Sequence, residues 1–450
     1  MLVLACLVLI PPLSASPPNI VFFMADDWSW PHAGICGDKT VKTPNFDRVA
    51  RGGILFNNAF VSTPSCTPSR LSILTGQHVW RLQEGDSLGG SLREEFEVYT
   101  ELLQEAGYCV GRFGKGVWPS KHSFRNRDSF GERFASFDAF LETRQPGEPI
   151  CFWYGGRDPH RPYEFGIGVK SGIGPEGIEV PACLPDNEIV RRDLADYYWC
   201  IQRFDREVGK VLERLEEIGE LDRTMIVISG DNGMPFPRCK ATLYDLGTRV
   251  PLAVRWGNKI RGGHSVDDFV TLCDFAPTFL EAAGLEAGAD MTGRSLIPVM
   301  LAGKSGQSDP TRTFVLTGME RHVYPNPSRA LRSAEVLYIR NFDPAGWESG
   351  EVEGQNPTDD FSSQAWPTGA GAFSFNIDPS PSKQAMRHDR GSAASKLSFA
   401  VRPREELYDL KSDPDQLRNI AGDPERSEQL LRSRAQLEAA LKASQDPRSG

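Results

Sequence analysis

Two uninterrupted apolar runs constrain this 450-residue chain more than any other feature of it. Asn19-Ile20-Val21-Phe22-Phe23-Met24 and Met225-Ile226-Val227-Ile228-Ser229 lack the alternation of a strand with one wet face. A strand apolar on both sides belongs in a sheet covered on both faces, which predicts a parallel α/β core. Each run ends in acid: Asp26-Asp27 after the first, and Asp231-Asn232, flanked by Gly230 and Gly233, after the second. In open α/β sheets, ligands bind at the carboxyl ends of strands. Adjacent carboxylates at such a place repel one another unless a cation offsets them, and a solvated turn is the plain alternative. Asp26, Asp27, Asp231 and Asn232 together make an oxygen-rich set suited to a hard cation, calcium first and magnesium second.

The rest of the chain supplies further strands and helices. Phe96 to Ala106 reads as an amphipathic helix, Tyr108 to Phe113 as a strand leading to Gly114-Lys115-Gly116, and Pro149 to Tyr154 as a strand. The last opens into Gly155-Gly156-Arg157-Asp158-Pro159-His160. Asp193 to Ile218 is the clearest helix, with Leu194, Tyr197, Ile201, Phe204, Val208, Val211, Leu215 and Ile218 at three-and-four spacing, a core stripe. Asp267 to Ala283 also reads as a helix, with Asp274 structural. Phe314 to Leu316 reads as a short strand ahead of Glu320-Arg321-His322. From about Ala330 the texture changes. Residues 343–398 are rich in Gly, Pro and Ser, and a loop that long is functional or disordered. Strands at Val336 to Asn341 and Glu406 to Leu410, and a charged helix from about Glu425 to Ala443, close the chain.

Length suits one large and one small domain, divided as 17–329 and 330–450. The net charge of −10, with no dense Lys/Arg run, argues against a nucleic-acid partner. No apolar stretch approaches the roughly 18–20 residues of a membrane span. Residues 1–16 read as a secretory signal, apolar through Ile10 and broken by Pro11 and Pro12, although no positive charge precedes the run. Val3-Leu4-Ala5-Cys6 leaves lipid anchoring open. The expected location is therefore an exported one: periplasmic, extracellular or lysosome-like. Nine cysteines show no Cys-x-x-Cys pair. A disulfide among Cys109, Cys151, Cys183, Cys200, Cys239 and Cys273 is left open.

One stretch carries the chemistry. Ser65-Cys66-Thr67-Pro68-Ser69-Arg70 precedes Leu71-Ser72-Ile73-Leu74-Thr75-Gly76. Pro68 suits a first helical turn and Gly76 a stop. Cys66 then faces the open N–H groups of a helix N-terminus, which favour an anion, and Arg70 adds a fork suited to a tetrahedral oxyanion. The alternative is a small buried thiol at a helix end.

Cys-x-Pro-Ser-Arg followed by Leu-Thr-Gly resembles the signature of type I sulfatases. That resemblance implies an alkaline-phosphatase-like fold, a large mixed β-sheet between helices with a smaller C-terminal α+β subdomain. It implies that a formylglycine-generating enzyme converts Cys66 to formylglycine, whose hydrate attacks sulfur. It also places Asp26, Asp27, Asp231, Asn232 and residue 66 on a divalent metal. Lys115 matches the family's sulfate-contacting lysine, but Val117 stands where the family has a histidine. At the turn after Tyr154 the family shows His-x-Pro-His; here Arg157 takes the first place and only His160 is kept. Asp-Asn-Gly-Met-Pro-Phe-Pro at 231–237 is similar to the heparan N-sulfatase branch, with Lys240 near the sulfate and Arg238 as the nearby alternative.

The implied reaction removes sulfate from a sulfated saccharide, O- or N-linked. Arg70, Lys115, Lys240 and the metal offset charge on the sulfuryl group. His160 or His322 gives the leaving group its proton, and Arg157 orients substrate. Two other readings stand beside it: a phosphodiesterase or phosphonate hydrolase of the same superfamily, and a non-catalytic sulfated-glycan binding protein.

Overall fold

The structure is a computed structural model and describes residues 17–117, 128–257, 259–346 and 376–449. The signal segment 1–16 lies outside the described residues, as does 347–375 of the Gly/Pro/Ser-rich stretch.

An eight-stranded sheet forms the centre, in the order β4-β3-β5-β1-β6-β7-β2-β8. Its strands are β1 (Asn19–Ala25), β2 (Ile54–Phe60), β3 (Cys109–Gly114), β4 (Glu132–Phe134), β5 (Ile150–Gly155), β6 (Thr224–Gly230), β7 (Leu252–Trp256) and β8 (His264–Thr271). All described pairings are parallel except those of β7, which runs antiparallel to β6 and β2. The two apolar runs are the adjacent central strands β1 and β6, and every residue of both is buried.

Burial on both sides follows from the helices. Val21, Phe23 and Ala25 join one core cluster, with Leu194, Tyr197, Ile201, Phe204, Val208, Val211 and Leu215 of the helix Glu188–Glu217. Ile20, Phe22 and Met24 point into a second cluster, with Leu71, Ile73 and Leu74 of the helix Cys66–Thr75 and Phe275, Phe279 and Leu280 of Phe275–Ala282. The alternation is therefore present, but both of its phases are apolar because both meet protein.

A second, antiparallel sheet runs in the order β12-β11-β10-β9. Its strands are β9 (Phe314–Arg321), β10 (Pro325–Ser333), β11 (Val336–Asn341) and β12 (Glu405–Asp409). Since β9 and β10 start before Ala330, this sheet begins ahead of the composition change. The helix Ser427–Ala443 packs Leu437 and Leu441 against its Leu331, Tyr338 and Leu407.

Three readings of local structure are corrected. Asp267 to Thr271 is the end of strand β8, and the helix begins only at Phe275. Thr271 and Asp274 form a reciprocal cap between them, so the chain changes structure there. The long helix starts at Glu188, because the Asn187 side chain accepts from the Val190 N–H. The described end of the Gly/Pro/Ser-rich stretch holds two helices, Pro381–His388 and Ala393–Phe399, capped by Ser380 and Ser392.

Candidate active site

Parallel register brings the site together. Met24 pairs with Ser229 on β6 and with Gly155 on β5, while Gly155 pairs with Gly114 on β3. Four neighbouring strands thus end level, and the residues just beyond them project from one edge of the sheet: Lys115, the Arg157–His160 turn, Asp26-Asp27 and Asp231-Asn232. Glycine is needed where these ends crowd: a Cβ on Gly155 would lie 1.8 Å from the Lys115 carbonyl oxygen.

Cys66 opens its helix directly above this edge, after Ser65 in an extended conformation, and Gly76 closes it with φ +65°. Every residue of that helix is buried, Arg70 completely. Arg70 Nε donates to Asp231 Oδ2 at 2.7 Å and Nη1 to the Lys115 carbonyl at 2.9 Å. Its Nη2, buried and without a hydrogen bond among the described residues, stands 3.7 Å from Asp26 Oδ1.

The acids are each tied to a cation. Lys115 Nζ donates to both Asp26 oxygens at 2.7 Å, and Lys240 Nζ to Asp27 Oδ2 at 2.8 Å. Asp27 adopts φ 75°, its N–H donates to Asp231 Oδ1 at 3.0 Å, and its Oδ1 accepts from Asn232 Nδ2 at 2.7 Å. Burial alone would raise Asp26, but Lys115, His160, Arg70 and Lys240 outweigh it and hold the carboxyl well below its ordinary range. Burial pushes Asp231 up to about 6, aided by Asp26 and Asp27 and opposed by Arg70 and Lys115. Burial would lower Lys240; Asp27 and Asp378 reverse that and keep it an ammonium. The Cys66 thiol is pushed up by burial despite Lys115 and Lys240. Unmodified, it is a protonated thiol, not an activated thiolate.

A metal ion fits here. Ligand atoms of Asp26, Cys66 and Asp231 lie within 4.8 Å of one another. Among the described residues, Asn232 Oδ1 is buried with no hydrogen-bond partner, as expected of an oxygen reserved for an ion. Three carboxylates and an amide oxygen form a hard donor set, and an oxygen in place of the Cys66 sulfur would complete it.

The two histidines differ. His160 Nδ1 bonds to the Arg161 carbonyl, which fixes that nitrogen as the donor and leaves Nε2 3.9 Å from Asp27 Oδ2. Its side chain is 22 % exposed. His322, just past β9, is buried with Nδ1 2.8 Å from Ser65 Oγ. Burial and then Lys240 hold it down to about 3, so it is neutral. Two sequence candidates stand apart. Arg157 is exposed. Arg238 points away from the acids: it stacks 3.8 Å from the Tyr244 ring centroid and donates to the carbonyls of Leu397 and Gln416. Val117 packs against the second core cluster.

Sequence reasoning missed two buried groups, Arg161 and Asp193, and the half-buried Asp378. Asp378 stands 3.4 Å from Lys240 Nζ. Burial would raise its carboxyl; Lys240, His160 and His322 hold it low. Arg161 clamps Asp193 through Nη1 at 2.8 Å and Nη2 at 2.7 Å, and donates from Nε to the Pro235 carbonyl at 2.9 Å. Asp193 stands at the start of the helix read from the sequence, one residue before its apolar stripe. Arg161 had one signal, its place beside His160, and Asp378 had none.

A sulfatase family model matches residues 18–154 and 120–285. The chain is 26% identical over 473 residues to an ulvan-active sulfatase of Formosa agariphila, covering 95% of this chain and 75% of that one. It is 29% identical over 478 residues to the human N-sulphoglucosamine sulphohydrolase, covering 94% and 89%. The fold matches a structure solved in complex with D-glucosamine-2-N,6-O-disulfate, with TM-score 0.68 and 19% identity over 96% of this chain and 99% of that one. The fold is the alkaline-phosphatase-like one, and the chain belongs to the sulfatase family, whose members generally use a metal and a formylglycine.

Proposed function

We propose that this sulfatase removes sulfate from an amino-sugar saccharide, with glucosamine N-sulfate as the favoured substrate, on a calcium-loaded site carrying formylglycine at position 66. Charge balance carries the reading. Four carboxylates, the buried Asp26, Asp27 and Asp231 and the half-buried Asp378, face three buried cations, Arg70, Lys115 and Lys240. A divalent ion on that set leaves one positive charge, which matches the single negative charge of a sulfate ester or sulfamate better than the dianion of a phosphate monoester. The 29% identity to the human N-sulphoglucosamine sulphohydrolase supports the sugar.

Asp26, Asp27, Asp231, Asn232 and residue 66 would hold the ion, with magnesium the second choice. When bound, it supplies Lewis-acid polarisation and lowers the pKa of a coordinated hydroxyl. The chain's own groups do the rest. Arg70 Nη2, the free corner of an otherwise fixed guanidinium, and the ammonium groups of Lys115 and Lys240 bind the sulfuryl oxygens. His160 carries the proton for the leaving amine or alcohol on Nε2, because its Nδ1 is committed to the Arg161 carbonyl and its side chain reaches solvent. His322, buried and neutral, holds Ser65 and so the start of the nucleophile helix. Arg157, exposed at the turn beyond β5, is left to orient the outer part of the saccharide.

Export fits the apolar start at 1–16, and among the described residues no helix is long and apolar enough to cross a membrane. Maturation then requires a formylglycine-generating enzyme in the host. The test is inorganic sulfate release from glucosamine N-sulfate, glucosamine 6-O-sulfate and an aryl sulfate, beside phosphate release from the matching aryl phosphate. The reading expects N-sulfate to lead and aryl phosphate to trail by at least about 100-fold, near 2.7 kcal/mol in the barrier. Faster phosphate release would move the assignment to phosphoester hydrolysis, and no release from any substrate to a binding protein.

A further inference from the structure

The segment ahead of the helix Pro381–His388 is pinned to the site at three points. Asn376 Oδ1 accepts from the N–H groups of Val323 and Tyr324, at 2.9 and 2.8 Å, in the turn that His322 opens. The buried Lys383 ammonium donates to the Ile377 carbonyl at 3.0 Å and so ties the segment to its own helix. The Ser382 hydroxyl donates at 2.6 Å to Asp193, the carboxylate clamped by Arg161, the neighbour of His160 in the chain. Asp378 lies between these anchors. It is thus held between the chain segments that carry His322 and His160, and its Oδ2 stands 3.4 Å from Lys240 Nζ.

A carboxylate at this place works against sulfate binding. Beside Lys240 it subtracts from the positive charge that the ammonium offers to a sulfuryl group. Lys240 already has a counter-ion in Asp27, at 2.8 Å, so neutralising the lysine does not account for Asp378. Asp378 Oδ2 is buried with no hydrogen-bond partner among the described residues. An ionised carboxylate accepts on both oxygens, and a buried acceptor without a donor is an exception that a ligand accounts for. The side chain keeps 12 % of its surface, so it is within reach of one.

We propose that Asp378 is a specificity-determining residue that accepts hydrogen bonds from ring hydroxyls of the saccharide bearing the sulfate. The inference rests on the reading of the site as that of a saccharide sulfatase. Sugar hydroxyls are neutral donors next to the scissile group, and a charged acceptor holds them more strongly than a neutral one. The donors are hydroxyls and not the amine, because the glucosamine nitrogen carries the sulfuryl group until the S–N bond breaks. The site then has two poles. Arg70, Lys115 and Lys240 take the sulfuryl oxygens, and Asp378 takes the ring. Against a sulfated ligand without hydroxyls the same carboxylate is repulsive, since no donor offsets its charge, and discrimination comes from both effects.

The probes are glucosamine N-sulfate and cyclohexylsulfamate, which keeps a six-membered ring and the sulfamate but lacks every hydroxyl. Each is titrated calorimetrically, with calcium present, into the full chain made without a formylglycine-generating enzyme, so that ligand binds without turnover. The parent is compared with Asp378→Asn, which keeps the shape, and with Asp378→Ala, which serves if the amide does not fold. The preference for the sugar, read as the ratio of the two dissociation constants, should fall about 10–100-fold in the variant, with cyclohexylsulfamate bound no more weakly than by the parent. If Asp378 only tempers Lys240, removing its charge tightens both ligands alike. A ratio that rises or stays within about 2-fold of the parent's would therefore overturn the proposal, as would a parent that does not favour the sugar. Sulfate release from glucosamine N-sulfate by the converted enzyme is measured separately. Its absence would refute the proposed reaction, whereas the binding ratio decides the role of Asp378 in either case.

Discussion

Replacing Arg161 by Met removes a buried cation whose partners stay behind. Its guanidinium makes two bonds to Asp193, at 2.8 and 2.7 Å, and one to the Pro235 carbonyl at 2.9 Å. It also lies 4.5 and 4.6 Å from the ring centroids of Tyr163 and Phe236. Among the described residues, Asp193 would then be a buried carboxylate supported only by Ser382, whose hydroxyl donates to it at 2.6 Å. Breaking a buried pair from one side costs about 3–5 kcal/mol. With an unfolding entropy near 2.1 cal/mol/K per residue, a chain of this size loses about 1 °C per kcal/mol, so the midpoint should fall by about 3–5 °C. The double variant Arg161→Met/Asp193→Asn removes the stranded charge and should regain at least half of the loss, a coupling that a double-mutant cycle in urea reads directly. Activity should fall as well. The Arg161 carbonyl orients His160, and its Nε fixes the carbonyl of Pro235, five residues before Lys240. A drop of about 10–100-fold in kcat/KM, or about 1.4–2.7 kcal/mol, is expected from mispositioning alone. A single variant within 1 kcal/mol of the parent with unchanged kcat/KM, or a double variant as unstable as the sum of the singles, would refute the clamp.

Three further outcomes are expected from the same geometry. Chelation by EDTA should abolish sulfate release and lower the midpoint by about 3 °C relative to protein with calcium at 100 times its Kd, since the ion binds only the folded donor set; equal midpoints with and without chelator would remove the metal from the account. Lys240→Met strips Asp27 and Asp378 of their shared cation, so kcat/KM for a sulfated sugar should fall about 10²–10³-fold, and parent-like kinetics would show that Lys240 does not meet the sulfuryl group. Asp205 caps the helix Pro44–Arg51 through the N–H groups of Asn45 and Phe46, yet burial still raises its carboxyl to about 6. Its folded value lies above the unfolded one, so the folded state keeps a proton that the unfolded state has lost between about pH 4 and 6. Stability from this group is complete below that window and declines as pH rises through it, by up to about 3 kcal/mol; Asp205→Asn should flatten that slope in urea titrations, and an unchanged slope would contradict the assignment.

The candidate site was readable where chemistry sits at the end of a strongly patterned element. Asp26-Asp27 and Asp231-Asn232 stand out because apolar runs deliver them, and Cys66 because a helix begins there. What the sequence could not show is contact between distant segments. Asp378 comes after a stretch without periodicity, and its value comes only from meeting Lys240 across the fold. Asp193 reads as one more polar position on an amphipathic helix until Arg161 is placed against it. Asn57 and Asn58 break the apolar run of strand β2 and hide it in the sequence; both are half-buried where the register with β8 shifts. The β8 misreading has a similar cause: Asp267 and Asp268 look like a helix start, but Asp268 is fully buried and accepts from the N–H groups of Ser308 and Asp309. Arg238 and Lys240 are two residues apart and were indistinguishable by composition. Backbone geometry separates them, with Arg238 at φ 63° turning its side chain toward Tyr244.

On the proposed function Cys66 is a precursor and not the working nucleophile, since burial pushes its thiol up in a site built around oxygen donors. The most direct measurement is the mass of the tryptic peptide ending at Arg70, from protein made alongside a formylglycine-generating enzyme. Conversion of the thiol to an aldehyde should lower that mass by about 18 Da, with the shifted fraction tracking sulfate release across preparations. An unshifted peptide in a host that modifies other sulfatases, or full activity from unshifted protein, would contradict the account.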